Sequence, residues 1–135
     1  MKYFVLMVAV LALCSVSSCN KEKLSPSTSI VGKWRWVKSV GGIGGFTLTP
    51  KSEGISLREE FYADSTFKTF RNDSITMQGK FSIVRNYKYS STETIDILKM
   101  GTPVNDSFII RNDTLYTDNY RFVSDGFSAT YVRIK

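Results

Sequence analysis

The side chains that carry most protein chemistry are scarce in this sequence. It contains no histidine, so the commonest general base and transition-metal ligand is missing. Its two cysteines are Cys14 and Cys19, and no thiol follows them. From Asn20 onward the chain can therefore form no disulfide, thiolate nucleophile or cysteine-ligated metal site. Glu59 and Glu60 are the only adjacent acidic pair. On a strand such neighbours point to opposite faces, so they cannot flank one glycosidic bond as a glycosidase requires. Glu93 or Asp96 could meet Glu59 only through the fold. Asp64, Asp73, Asp106, Asp113 and Asp125 lie among Asn, Ser, Thr and Gly and read as turn formers. No loop gathers the carboxylates that calcium needs. The glycines within 41–45 lack the Lys-Ser/Thr and the helix of a phosphate loop. These absences point away from an enzyme, and no cofactor and no metal is expected.

What remains is a series of apolar and aromatic residues at alternate positions, which demands strands to hold them. From Ile30 on, the hydrophobic period is two, and runs rich in Val, Ile, Thr, Tyr and Phe are separated by Gly, Asn, Asp and Ser. The pattern predicts strands over 30–40, 55–62, 66–71, 75–84, 93–99, 106–111, 114–119 and 127–134, with a short extra piece at 46–48 and no helix of convincing length. Arg71-Asn72-Asp73-Ser74 and Arg111-Asn112-Asp113-Thr114 have the chemistry of hairpin tips. Sequential short hairpins suit an all-β fold, an eight-stranded antiparallel up-and-down β-barrel that leaves no free edge. A sandwich is the rival. Alternation groups Trp34 with Trp36, Leu57 with Glu59 and Phe61, and Phe81 with Ile83 and Arg85. If these faces line a barrel, Trp36, Leu57, Glu59, Phe61, Phe81 and Ile83 form a ligand-binding interior for a small apolar or amphipathic molecule. Lys38, Glu59 and Arg85 are its polar guests. Alternatively the barrel is filled, and an outer face or the 41–50 loop docks an envelope protein or a glycan, with Tyr62, Phe70 and Tyr120 as exposed aromatics.

The amino-terminal segment suggests where the chain goes. Lys2 precedes the ten-residue apolar run Phe4–Leu13, too short to span a bilayer as a lone helix, for which ~20 residues are needed, but suited to an export signal. Val16-Ser17-Ser18-Cys19 is similar to the lipobox cut by lipoprotein signal peptidase. Residues 1–18 are thus expected to be a cleaved signal peptide. Lipidation of Cys19 would then tie the chain to membrane lipid, since each buried methylene contributes ~0.8 kcal/mol and two or three acyl chains hold firmly. Residues 19–29 are polar, Ser-rich and broken by Pro26, the composition of a flexible tether, and 30–135 form the domain. This places the protein in the cell envelope, in the outer membrane by the absence of Asp at position 20, on its periplasmic face or at the surface. The chain carries a net charge of +6, but its Lys and Arg are scattered, so no nucleic acid partner is expected. Mild attraction to anionic headgroups or acidic glycans is the natural reading.

Gly32-Lys33-Trp34 on the first strand resembles the Gly-x-Trp signature of lipocalins and their calycin relatives, and Thr130-Tyr131-Val132-Arg133 resembles their last strand. The resemblance implies barrel closure by Gly32, Trp34 and Arg133, with the guanidinium across the indole. The stretch 30–135 looks like the lipocalin-like lipoproteins of Bacteroidota. It has the Gly-rich loop, the Phe61-Tyr62-Ala63-Asp64-Ser65-Thr66-Phe67 hairpin, Gly79-Lys80-Phe81-Ser82-Ile83 and Asp113-Thr114-Leu115-Tyr116. Ser65 departs from the Gly that those relatives often carry. The fold implied is a lipocalin-like barrel; function is open, because such barrels serve transport, inhibition and scaffolding alike. Asp64-Ser65-Thr66, Asp73-Ser74-Ile75 and Asp113-Thr114-Leu115 also resemble the Asp-Ser/Thr-apolar acceptor of Bacteroidota O-glycosylation, which makes Ser65, Ser74 and Thr114 candidate modification sites.

Overall fold

The computed structural model describes residues 28–135. The expected signal peptide, Cys19 and the tether up to residue 27 lie outside the described residues. The described chain forms ten strands and one short helix: β1 (Gly32–Gly41), β2 (Phe46–Leu48), α1 (Pro50–Glu53), β3 (Leu57–Phe61), β4 (Thr66–Arg71), β5 (Ser74–Lys80), β6 (Ser82–Lys88), β7 (Thr94–Lys99), β8 (Asp106–Arg111), β9 (Thr114–Asp118) and β10 (Phe127–Ile134). All pairings are antiparallel, and the order across the sheet is β5-β4-β3-β1-β10-β9-β8-β7-β6, with β2 added to β1. The fold is all-β, as the alternation demanded.

The closed eight-stranded barrel is corrected. The sheet has ten strands and is open, with β5 and β6 as its two edges. The expected strand 75–84 is two strands broken at Phe81. The Phe81 amide bonds the Ser65 carbonyl oxygen at 2.8 Å, one step beyond the last β4–β5 pair, and its ring packs on Phe61, edge to face at 5.2 Å. One residue spans at most about 7.6 Å between the flanking Cα atoms, so the sheet coils until its edges meet at this corner without pairing. Each edge also carries a bulge. On β5 the register slips where Thr69 faces Met77 but Phe70 faces Ile75. On β6 it slips between Val84 and Tyr87, where Asn86 takes φ 52. Bulges twist an edge away from straight pairing.

Local chemistry explains the turns. Asn72 and Asp73 have φ of 49 and 63, Asn112 and Asp113 of 49 and 58, the double positive φ of two-residue hairpins that match strand twist. Ser65 itself adopts φ 64, and the turn closes through Tyr62 N–H to Thr66 O at 2.9 Å. The unexpected helix α1 is held by its ends: Thr49 and Ser52 cap each other reciprocally, Pro50 opens it and Gly54 closes it at φ 63.

A third slip, in β1 between Trp36 and Lys38, reassigns a face. Trp36 and Ser39 both turn inward, the indole N–H donating to Ser39 Oγ at 2.9 Å. Lys38 is exposed and lies opposite Thr130, between the inward Ala129 and Tyr131. Its expected role as an interior polar guest is therefore corrected. The core itself is formed by Ile30, Trp34, Trp36, Phe61, Phe67, Leu98, Phe108, Leu115 and Tyr131.

Candidate functional site

The interior divides into a filled end and an open one. At the filled end the Arg133 guanidinium lies 4.1 Å above the Trp34 ring. It also donates to Asp113 Oδ1, Val31 O and Ser29 O at 3.0, 2.9 and 2.7 Å. The Trp34 indole N–H donates to Ile30 O at 2.7 Å. A Cβ on Gly32, at φ +142, would stand 2.5 Å from Arg133 Nη1, so glycine is what lets the guanidinium settle. Phe61 and Phe67 are fully buried, with Phe81 and Ile83 packed against the same cluster. Of the six interior residues named from sequence, Phe61, Phe81 and Ile83 thus fill this end with side chains.

Glu59 faces inward midway along β3, in register with Trp34 on one side and Thr69 on the other. Thr69 in turn opposes Met77, which is 37% exposed although it faces inward. The interior is therefore reachable from the β5 side. Tyr131 Oη donates to Glu59 Oε1 at 3.1 Å, and no Lys or Arg among the described residues forms an ion pair with Glu59. Burial, reinforced by Asp106 and opposed by the Tyr131 hydrogen bond, pushes the Glu59 carboxyl up to about 7. Asp106 is pushed up to about 6 by its own burial and by Asp118. The Tyr131 hydroxyl is raised well above its ordinary value by burial and by Glu59. Glu60, one residue on, points outward. Burial opposes its charge, but the Tyr62 hydroxyl, Lys33 and Arg58 outweigh that and hold it below the ordinary carboxylate value.

Trp36 and Leu57 line a recess of about 280 Å³ with Arg35, Val37, Pro50 and Ser56. Capped α1 supplies its outer wall. Trp36 faces Tyr131 in register, so the recess adjoins the Tyr131–Glu59 pair. Arg85, the remaining expected polar guest, is half exposed, paired with Asp96 and set 5.3 Å over the ring of the core residue Phe108.

Sequence reading misses Tyr131 and Asp106. Tyr131 lies in the same alternation as Arg133, which is the signal that could have found it. Asp106 resembles a turn residue by its neighbours, yet it is the first residue of β8 and shares the alternation of inward Phe108 and Ile110. Of the expected outer aromatics, Tyr62 bonds Glu60, Phe70 lies under Arg58 at 4.2 Å, and Tyr120 is 43% exposed with its hydroxyl on Val40 O. A groove of about 630 Å³ on the opposite side of the sheet from the core has no counterpart in the sequence pattern. Ile95, Ile109, Tyr116 and Thr130 form its floor, and Arg121 crosses its rim, bound to Glu93 at 2.8 and 3.0 Å. Ser65 and Ser74 are exposed and Thr114 half-buried, all three at or beside hairpin turns. Among the described residues no three His, Cys, Asp or Glu side chains gather as a metal site. No protein-family model, curated protein or solved structure matches this chain.

Proposed function

We propose that this protein is a lipocalin-like lipoprotein of the bacterial envelope, held in the outer membrane through acylated Cys19, whose open calyx binds a small amphipathic ligand. The observation that carries this reading is Glu59. An inward-facing carboxyl group with the Tyr131 hydroxyl as its partner, Asp106 opposing its charge and no ion pair among the described residues costs stability. Such a cost serves no purpose in a core that only needs packing, and it is explained by a polar ligand head. The apolar body of the ligand would lie in the recess of Trp36 and Leu57, and its polar end would reach Glu59 and Tyr131. The absence of histidine and free thiol in the domain favours binding over catalysis.

A second reading, docking of an envelope protein or glycan, is favoured by the outer groove, where Ile109 is 45% and Tyr116 42% exposed. The two separate in one titration. N-phenyl-1-naphthylamine, an apolar amine, should quench tryptophan fluorescence through Trp36. Leu57→Arg on the recess lip should weaken binding at least tenfold, and Ile109→Arg in the groove should leave it unchanged. Loss through Ile109→Arg alone favours the groove; no change in tryptophan emission at any concentration overturns the calyx.

A further inference from the structure

The outer surface of β1, β3, β4 and β5 has a charge that the core does not use. Alternation with the inward Trp34, Glu59, Phe67 and Gly79 turns Lys33, Arg35, Arg58, Lys68 and Lys80 to this face. Within the strands only Glu60 opposes them, held by Lys33 at 3.5 Å and Arg58 at 3.1 Å. Asp73 and Asp64 stand at the hairpin tips, Asp73 bound to Arg58 and Asp64 near Lys80. Arg35 and Lys68 form no ion pair among the described residues. Exposed apolar side chains share this face, Val31 at 39% and Ile75 at 51%. The groove side of the sheet differs: there Arg121 is neutralised by Glu93 and Asp118.

We propose that this face lies against an anionic membrane surface, an orientation that rests on the lipid anchor proposed above. Two observations commit it to lipid. The first is charge complementarity, since cations interspersed with apolar side chains suit phosphate headgroups over a hydrocarbon boundary. The second is the tether. Nine peptide steps separate Cys19 from Thr28, a reach of at most about 30 Å, comparable with the roughly 26 Å that twice the radius of gyration of such a domain spans. The chain enters beside this face, because Arg133 clamps Ser29 O and Val31 O just ahead of Lys33 and Arg35. Such a short tether keeps the face at high effective concentration near headgroups, and Arg35 also borders the recess, so the mouth would open towards the membrane.

The test separates the face from the anchor. Residues 19–135 carrying Cys19→Ser, which cannot be acylated and lack the apolar run Phe4–Leu13, are sedimented with vesicles of phosphatidylcholine alone and of equal parts phosphatidylcholine and phosphatidylglycerol. We expect at least tenfold more protein on the anionic vesicles at low salt, declining as salt shortens the screening length. Arg35→Glu with Lys68→Glu should abolish the preference, and Lys88→Glu with Lys99→Glu, on β6 and β7, should keep it, with near-ultraviolet circular dichroism confirming the fold of each. Equal sedimentation with both compositions, or equal loss in both double variants, overturns the proposal. Either result leaves the acyl anchor untouched, because that is read from the mass of the native chain.

Discussion

Glu59 and Glu60 are neighbours in sequence and opposites in physics. Alternation alone sends them to different faces, and this much is legible in the sequence. Which of them is compensated is not, because Glu60 depends on Arg58 and Tyr62, two residues to either side, and on Lys33 brought opposite by strand pairing, whereas the hydrogen-bond partner of Glu59 among the described residues comes from 72 residues away. The pH dependence follows. In the unfolded chain Glu59 titrates near 4.5, and in the folded state near 7. A carboxyl raised in this way favours the folded state fully below the lower value. That contribution is lost as pH rises from the lower value through the upper one, since between them only the unfolded form ionises freely. Asp106, raised to about 6, acts in the same direction. We therefore expect stability to fall between pH 4.5 and 7, and Glu59→Gln to flatten much of that fall and stabilise the protein at pH 8. The gain should be about 1–3 kcal/mol, less than the full shift implies because the residue is only half-buried. Urea unfolding at pH 5 and pH 8 measures it; a variant that unfolds with unchanged pH dependence would show that Glu59 is not the group responsible.

At the scale of elements, hairpin chemistry is readable and register slips are not. The Asn-Asp tips announce two-residue turns because those side chains tolerate positive φ. The three bulges leave no comparable mark. In β1 the slip sends Lys38 outward after two correctly placed tryptophans, and in the stretch 75–84 a strand-like composition conceals the break at Phe81. That break is a tertiary event: the Phe81 ring packs on Phe61, which does not lie near it in sequence. The resulting seam between β5 and β6 has a dynamic consequence. Amides on their outer edges have no ladder partner, and every residue of β5 is exposed, so local opening there disrupts little packing. Hydrogen exchange resolved by mass spectrometry should show peptides from β5 and β6 exchanging at least tenfold faster than those from β1 and β10, the most deeply paired strands. Protection of β5 and β6 equal to that of β1 would mean that the seam zips shut in solution and that the barrel is closed after all.

For the whole molecule, the order of strands is that of a meander wrapped nearly into a ring. β1 pairs with both β3 and β10, and the chain crosses from one free edge to the other through a single phenylalanine. Such a ring needs no covalent staple to hold its ends, since Trp34, Arg133 and Gly32 lock the two chain termini of the domain together. On the lipoprotein reading proposed above, such a domain would be presented at the end of a tether, and the anchor would decide where. If the lipobox reading holds, the mature chain begins at Cys19 and keeps 17 of its 18 basic side chains, because Lys2 is the only one before that point. Each methylene of its acyl chains would add ~0.8 kcal/mol of membrane affinity, enough to outlast salt and carbonate washes that strip a purely electrostatic association. The native protein extracted in detergent should therefore have an intact mass equal to residues 19–135 plus a diacylglyceryl group, with or without a third acyl chain. Cys19→Ser should instead release the protein from washed membranes or leave its leader uncleaved. Hexose-sized increments on the same mass, abolished by Ser65→Gly with Ser74→Ala and Thr114→Val, would assign the hairpin turns as glycan carriers. A native chain that still starts at Met1, or one that begins at Cys19 with an unmodified thiol, would sink the anchor, and with it the reason to look for this domain's ligand at a membrane.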